Sequence, residues 1–246
     1  MTASRATDNA SEDKTKAPLT LKWIWLALLL ALAVFIRVHG ANDYRYGGDE
    51  SWHVYIAGSD TLQKIWEYSH YETHPPLLYV LCHYWMMISA DPAFVRGMNL
   101  LIGVMLILLY YRIGHLLGGE LAGFCCAAII AFSYGCIIQS YAVRQYMPLV
   151  FFLALAFYCY MRWRRKRNYH MLLAYGCFGA LACVTHFSGI FAIACFLLLE
   201  GMESIRQRKP FRDTAGWLCV NGIVVTVALA IYLSWRPTLI RMIFTR

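Results

Sequence analysis

Seven apolar runs alternate with polar or charged breaks along the chain: Leu21–Val38, Phe94–Leu117, Leu121–Ile138, Met147–Met161, Met171–Phe187, Gly189–Met202 and Trp217–Leu233. A membrane-spanning helix needs about 20 mostly apolar residues, and these runs approach or reach that length. Gly189–Met202 is the weakest, because Glu200 enters its last turn. An eighth run, Leu77–Ser89, is shorter and reads equally as an interfacial or re-entrant helix. Before it lies the only long polar stretch, Gly40 to Pro76, which opens with Gly47-Gly48-Asp49-Glu50 and closes with His74-Pro75-Pro76. The pattern predicts an all-α, polytopic membrane protein of about seven transmembrane helices. Its first loop, 39–92, faces outward and contains interfacial helices. Residues 1–20 mix small and charged side chains that cannot build a core, and read as a disordered cytoplasmic tail ahead of a transmembrane module over 21–246.

Composition agrees. Of the 246 residues, 60% are hydrophobic and only 15% charged, which excludes a soluble domain of this size. The first run ends in Arg37 and lacks a small-x-small cleavage site, so it reads as an uncleaved anchor. All nine cysteines lie in apolar segments, with neither a CxxC pair nor a disulfide framework, and read as small hydrophobes in packed helices.

Charge sets the orientation. If Leu77–Ser89 does not span, most of the 22 Lys and Arg residues fall on one side: the tail, Arg112, the run Arg162 to Arg167, and Arg206 to Arg212. If it does span, the densest basic loop moves to the face opposite the basic tail, against the positive-inside rule. The first arrangement is therefore expected, with the N-terminus cytoplasmic and the chain in a bacterial inner (plasma) membrane. The basic runs then serve orientation and contact with anionic membrane lipid, and no nucleic-acid signature is present.

In this topology three polar turns converge on the outer face. Asp49 reads as the N-cap of a short helix, and His53, one turn on, shares a face with Asp49 and Glu50. A carboxylate there is placed to act as a general base on an acceptor hydroxyl. His74-Pro75-Pro76 gives the interfacial helix a rigid start, with Tyr79, Tyr84 and Trp85 as interfacial anchors; His74 itself suits a hydrogen bond to phosphate. Arg144, between Tyr141 and Tyr146, and Arg96, at the start of the second span, read either as snorkelling residues or as phosphate clamps. His186 closes the fifth span beside Gly189. No nucleotide, zincin or serine-hydrolase motif occurs.

At these positions the chain resembles the polytopic GT-C glycosyltransferases of the protein mannosyltransferase and aminoarabinose transferase group. The resemblance is carried in order by Gly48-Asp49-Glu50-Ser51, His74-Pro75-Pro76-Leu77-Leu78-Tyr79, Arg96, Tyr141 to Tyr146, and Thr185-His186-Phe187-Ser188-Gly189. It implies inverting transfer of a sugar from a polyprenyl-phosphate donor to a glycan, lipid or protein acceptor. Asp49 would be the base. Glu50, His74, Arg96 and Arg144 would position the acceptor or balance charge, with His53, Tyr141, Tyr146 and His186 contributing to substrate binding. Members of the group often carry an acid in the second outer turn, where Tyr141, Ala142 and Val143 stand here. A metal site shared between the two loops, or a divalent cation as cofactor, therefore lacks support. Members also usually continue past the seventh span, so the expectation extends to a partner chain supplying a missing C-terminal part. Two further readings stay open: a noncatalytic subunit binding a lipid-linked sugar, and a transporter or flippase. The latter is disfavoured because ionisable residues sit at span ends, and only Asn99 and Asn221 lie deep within spans.

Overall fold

The computed structural model describes residues 19–42, 46–72, 74–208 and 211–244. The expected disordered tail falls, over residues 1–18, outside the described residues. The helices are α1 (Leu19–Asn42), α2 (Gly48–Ala57), α3 (Leu62–Ser69), α4 (Leu77–Met86), α5 (Pro92–Phe132), α6 (Tyr134–Tyr141), α7 (Tyr146–Lys166), α8 (Tyr169–Thr185), α9 (Gly189–Arg206) and α10 (Phe211–Phe244). Among the described residues there is no strand. The protein is an all-helical, polytopic membrane protein.

Among the described residues, four helices are long and apolar enough to cross a membrane: α1, α5, α7 and α10. At 41 residues α5 is two helical limbs in one, because Gly118 and Gly119 leave helical geometry between them. Gly119 has φ 79°, which only glycine adopts without strain. The limbs fold back on each other. A Cβ on Gly114 would sit 2.4 Å from the Ala122 carbonyl oxygen, so no larger residue fits there without displacing backbone. The limbs coincide with the predicted second span and the first part of the third.

The third span differs from expectation. Leu121–Ile138 is not one helix: Ser133 is extended (ψ 120°), and the chain restarts as α6. A helix end leaves carbonyls without intrahelical partners. Here the Arg37 guanidinium of α1 donates to Ile130 O at 3.1 Å and Ala131 O at 2.9 Å. Arg37, read from the sequence as a boundary residue, is fully buried as the cap of that limb.

Helix α8 is apolar but has 17 residues, and α9 carries Glu200, Glu203 and Arg206 in its last turns. Ten residues make α4 about 15 Å long, half the thickness of a hydrocarbon core, so α4 cannot span. One apolar cluster joins α1, α5 and α7. A second, rich in aromatics, joins α7, α8, α9 and α10 around Tyr160, Trp163, Tyr175 and Trp217. The packing brings the start of α7, the end of α8 and the short helices α2 and α4 to one end of the bundle.

Candidate active site

The site begins where α2 begins. Its N-cap is Gly47 rather than Asp49. Two glycines let the chain enter the helix without a side chain at the cap, and Glu50, at the third helical position, returns to accept the Gly47 N–H at 3.1 Å. The other Glu50 oxygen accepts the Val143 N–H at 2.7 Å. With only 2% of its surface exposed, Glu50 fastens α2 to the turn between α6 and α7. Asn99 of α5 holds that turn from the other side, donating to Ala142 O at 2.5 Å and Arg144 O at 2.9 Å. Fixed from two directions, the turn presents Arg144 so that its Nη2 lies 2.9 Å from Asp49 Oδ2.

Around this ion pair is a cavity of about 320 Å³, lined by Gly48, Asp49, Trp52, His53, Glu72, His74 and Arg144. The Asp49 side chain is 68% exposed, against 27% for Arg144. The pair adds little to stability at that exposure, and its importance is electrostatic. His53 Nδ1 donates to Asp49 O at 2.5 Å. A carbonyl can only accept, so Nδ1 carries a proton in this bond; Nε2 is buried with no hydrogen-bond partner among the described residues. Behind it the Tyr79 ring stacks at 5.3 Å. Expected as an interfacial anchor, Tyr79 is instead 1% exposed, and its hydroxyl is buried without a hydrogen-bond partner among the described residues. Trp85 is likewise turned inward, donating to Phe94 O at 2.8 Å, whereas Tyr84 keeps the expected exposure.

Three imidazoles line up toward α8. His74 lies 5.9 Å from His53 and 5.2 Å from His186, ring centre to ring centre, and His186 lies 5.8 Å from Tyr146. Burial, then the neighbouring His186, His53 and Arg144, push His74 down to about 4, with Asp49 opposing. His74 is therefore neutral at physiological pH. Burial lowers His186 too, and its Nδ1 accepts the Ser188 N–H at 3.0 Å. Glu72 moves up, chiefly through burial, while His53 and the Trp52 indole favour its charged form.

Asp49, His53, His74, Arg144, Tyr146 and His186 thus share one end of the bundle. Three expected site residues stand apart. Glu50 holds the turn. Arg96 donates to Ala41 O at 3.2 Å at the end of α1 and lies over the Tyr46 ring at 4.5 Å. Tyr141 packs its ring against Gly40. Neither of the last two lines the cavity. Sequence reasoning missed Glu72 and Trp52, and it recorded Asn99 only as a polar residue inside a span. Glu72, two residues before His74 at the close of the polar loop, was the one with a legible signal. Among the described residues no group of three or more His, Cys, Asp or Glu side chains is arranged to hold a metal ion. The nine thiols are free. Chemically, the cavity offers an accessible carboxylate, a guanidinium and the His53 and His74 imidazoles, groups able to meet hydroxyls.

The family model for dolichyl-phosphate-mannose-protein mannosyltransferase matches residues 83–236, more than half of the chain. Arg96, Tyr141, Arg144, Tyr146 and His186 lie within the match, and Asp49, Glu50, His53 and His74 precede it. No curated protein and no solved structure matches the chain.

Proposed function

The chain belongs to the dolichyl-phosphate-mannose-protein mannosyltransferase family of membrane glycosyltransferases, and on that footing we propose that it moves a sugar from a polyprenyl-phosphate donor to an acceptor hydroxyl. The transfer takes place in the cavity between α2 and the α6–α7 turn and inverts the anomeric carbon. The observation that carries this reading is the juxtaposition of Asp49 and Arg144 at 2.9 Å in that cavity. One is a base for the incoming hydroxyl, the other a clamp for the departing phosphate.

Asp49 accepts the hydroxyl proton as the acceptor oxygen bonds to the anomeric carbon. The bond from that carbon to the phosphate oxygen breaks, and its electron pair stays on the phosphate. Arg144 faces the charge that develops there, and its Nε is buried with no hydrogen-bond partner among the described residues. The His53 and His74 imidazoles, which line the cavity, are the groups nearest to hand for sugar hydroxyls. Glu50, with both oxygens taken by backbone N–H groups, positions the turn rather than reacting.

In the membrane the chain forms a module of seven spans, N-terminus cytoplasmic and cavity outward, in a bacterial inner (plasma) membrane. The basic residues Arg164 to Arg167 lie at the opposite end of α7 from Arg144, as the positive-inside rule requires of this orientation. The test is a panel of polyprenyl-phosphate sugars incubated with purified protein and candidate acceptor hydroxyls. Release of lipid phosphate with an inverted glycosidic product is the expected result. Binding without release on any donor would leave a lipid-linked-sugar-binding module in place of an enzyme, and a retained configuration would remove the direct displacement by the acceptor.

A further inference from the structure

At the far end of α7, roughly 30 Å from Arg144 by helical rise, a second cavity of about 170 Å³ opens between α7, α8 and α10. Its walls are Trp163 and Arg167 of the α7 terminus, Tyr169 and Leu172 of α8, and Gly216 and Trp217 of α10. The volume is that of roughly five or six liquid waters. Arg167 ends α7 in the left-handed conformation (φ 51°), which turns the chain sharply toward α8. Its guanidinium lies 4.6 Å from the centre of the Trp163 ring. Trp163 stacks on Trp217 at 5.1 Å, making an aromatic floor. Trp217 is 2% exposed, and its Nε1 donor has no hydrogen-bond partner among the described residues.

Among the described ion pairs, competing charge is limited. Glu200 is the one carboxylate paired with Arg167 among the described ion pairs, at 4.0 Å, and Arg164 holds the same carboxylate more closely, at 3.3 Å. The cavity thus combines a cation, a buried N–H donor and aromatic walls at a helix end that bears five basic residues, Arg162, Arg164, Arg165, Lys166 and Arg167. Trp and Tyr at helix ends mark the headgroup level of a membrane protein, and basic pockets between helices at that level take lipid phosphates. We infer that this cavity binds a phosphate group, with the guanidinium of Arg167 as its charged partner and the Trp217 indole as its neutral donor. The site is separate from the sugar-transfer cavity and does not depend on its chemistry.

The test uses the full chain in neutral detergent, with equilibrium binding of phosphatidylglycerol and, for comparison, phosphatidylcholine. Phosphatidylglycerol, whose phosphate keeps its net negative charge for Arg167, binds saturably, and phosphatidylcholine, whose phosphate is balanced by its own choline cation, binds at least tenfold more weakly. Arg167→Gln weakens phosphatidylglycerol binding about tenfold. Gly216→Leu, which fills the cavity and leaves every charge in place, weakens it similarly. Arg165→Gln, whose guanidinium turns to Leu116 O outside the cavity, changes it less than twofold. Displacement of the lipid by millimolar inorganic phosphate assigns recognition to the phosphate alone, and retention assigns it to the lipid headgroup; both support the site. Equal binding of the two lipids, an equal loss in Arg165→Gln and Arg167→Gln, or wild-type binding by both cavity variants overturns it.

Discussion

Asp49 and Glu50 are neighbours with different surroundings, and the difference predicts opposite mutant behaviour. Removing the Glu50 carboxylate leaves the Val143 N–H buried without its acceptor, a loss on the order of 1–3 kcal/mol. Glu50→Ala should therefore lower the unfolding midpoint in a denaturation series, while Asp49→Asn, at a largely exposed side chain, should leave it unchanged. A second prediction concerns His74. Its pKa in the fold is about 4, below the usual 6.5, so the unfolded chain binds the extra proton between those values. Stability contributed by neutral His74 is fully present above pH 6.5 and lost as pH falls toward 4. Thermal midpoints measured across that window should fall more steeply in the wild type than in His74→Gln. Glu72 titrates in both proteins and cancels in the comparison. Both acids and His74 were legible as candidates in the sequence, and the family resemblance already set Asp49 apart from Glu50, but the anchoring of the turn by Glu50 was not legible. Which carboxylate faces solvent depends on Val143, 93 residues away, and no local pattern encodes that pairing.

Helices were legible where apolar runs and punctuation agreed. Gly118-Gly119 separated two predicted spans and does mark the reversal inside α5. The break at Ser133 was hidden, because Ser133 interrupts an otherwise apolar run and its compensation comes from Arg37 on another helix. Tyr79 was misjudged for a related reason: aromatic residues at a short apolar helix suit an interface or a packed face equally, and only the approach of His53 decides. The hairpin in α5 supplies a prediction of its own. Gly114→Val places side-chain atoms on the Ala122 backbone and must part the two limbs. Overpacking of this kind costs about 1–3 kcal/mol, visible as a lowered melting temperature, whereas Gly222→Ala, at an open glycine, should be near neutral.

Across the whole molecule, one end of the bundle collects the acid, the guanidinium and three imidazoles, and the other collects the basic residues around Arg167. The charge asymmetry was legible in the sequence and sets the orientation proposed here, with the cavity outward. In a chain whose native cysteines are replaced, a membrane-impermeant thiol reagent applied from outside should label a cysteine at Ser59 and miss one at Asn168; the reverse pattern would turn the cavity inward. The family match runs from the end of α4 into α10 and does not reach the loop that carries Asp49, so the role proposed for its carboxylate stands on geometry. Its direct test is single-turnover release of lipid phosphate from a bound polyprenyl-phosphate sugar, with acceptor present, by wild type and Asp49→Asn. A positioned general base typically contributes about 10²–10⁴-fold, so release should fall by that factor in Asp49→Asn while donor binding is unchanged. An undiminished rate in Asp49→Asn would contradict the assignment of this cavity as the site of transfer.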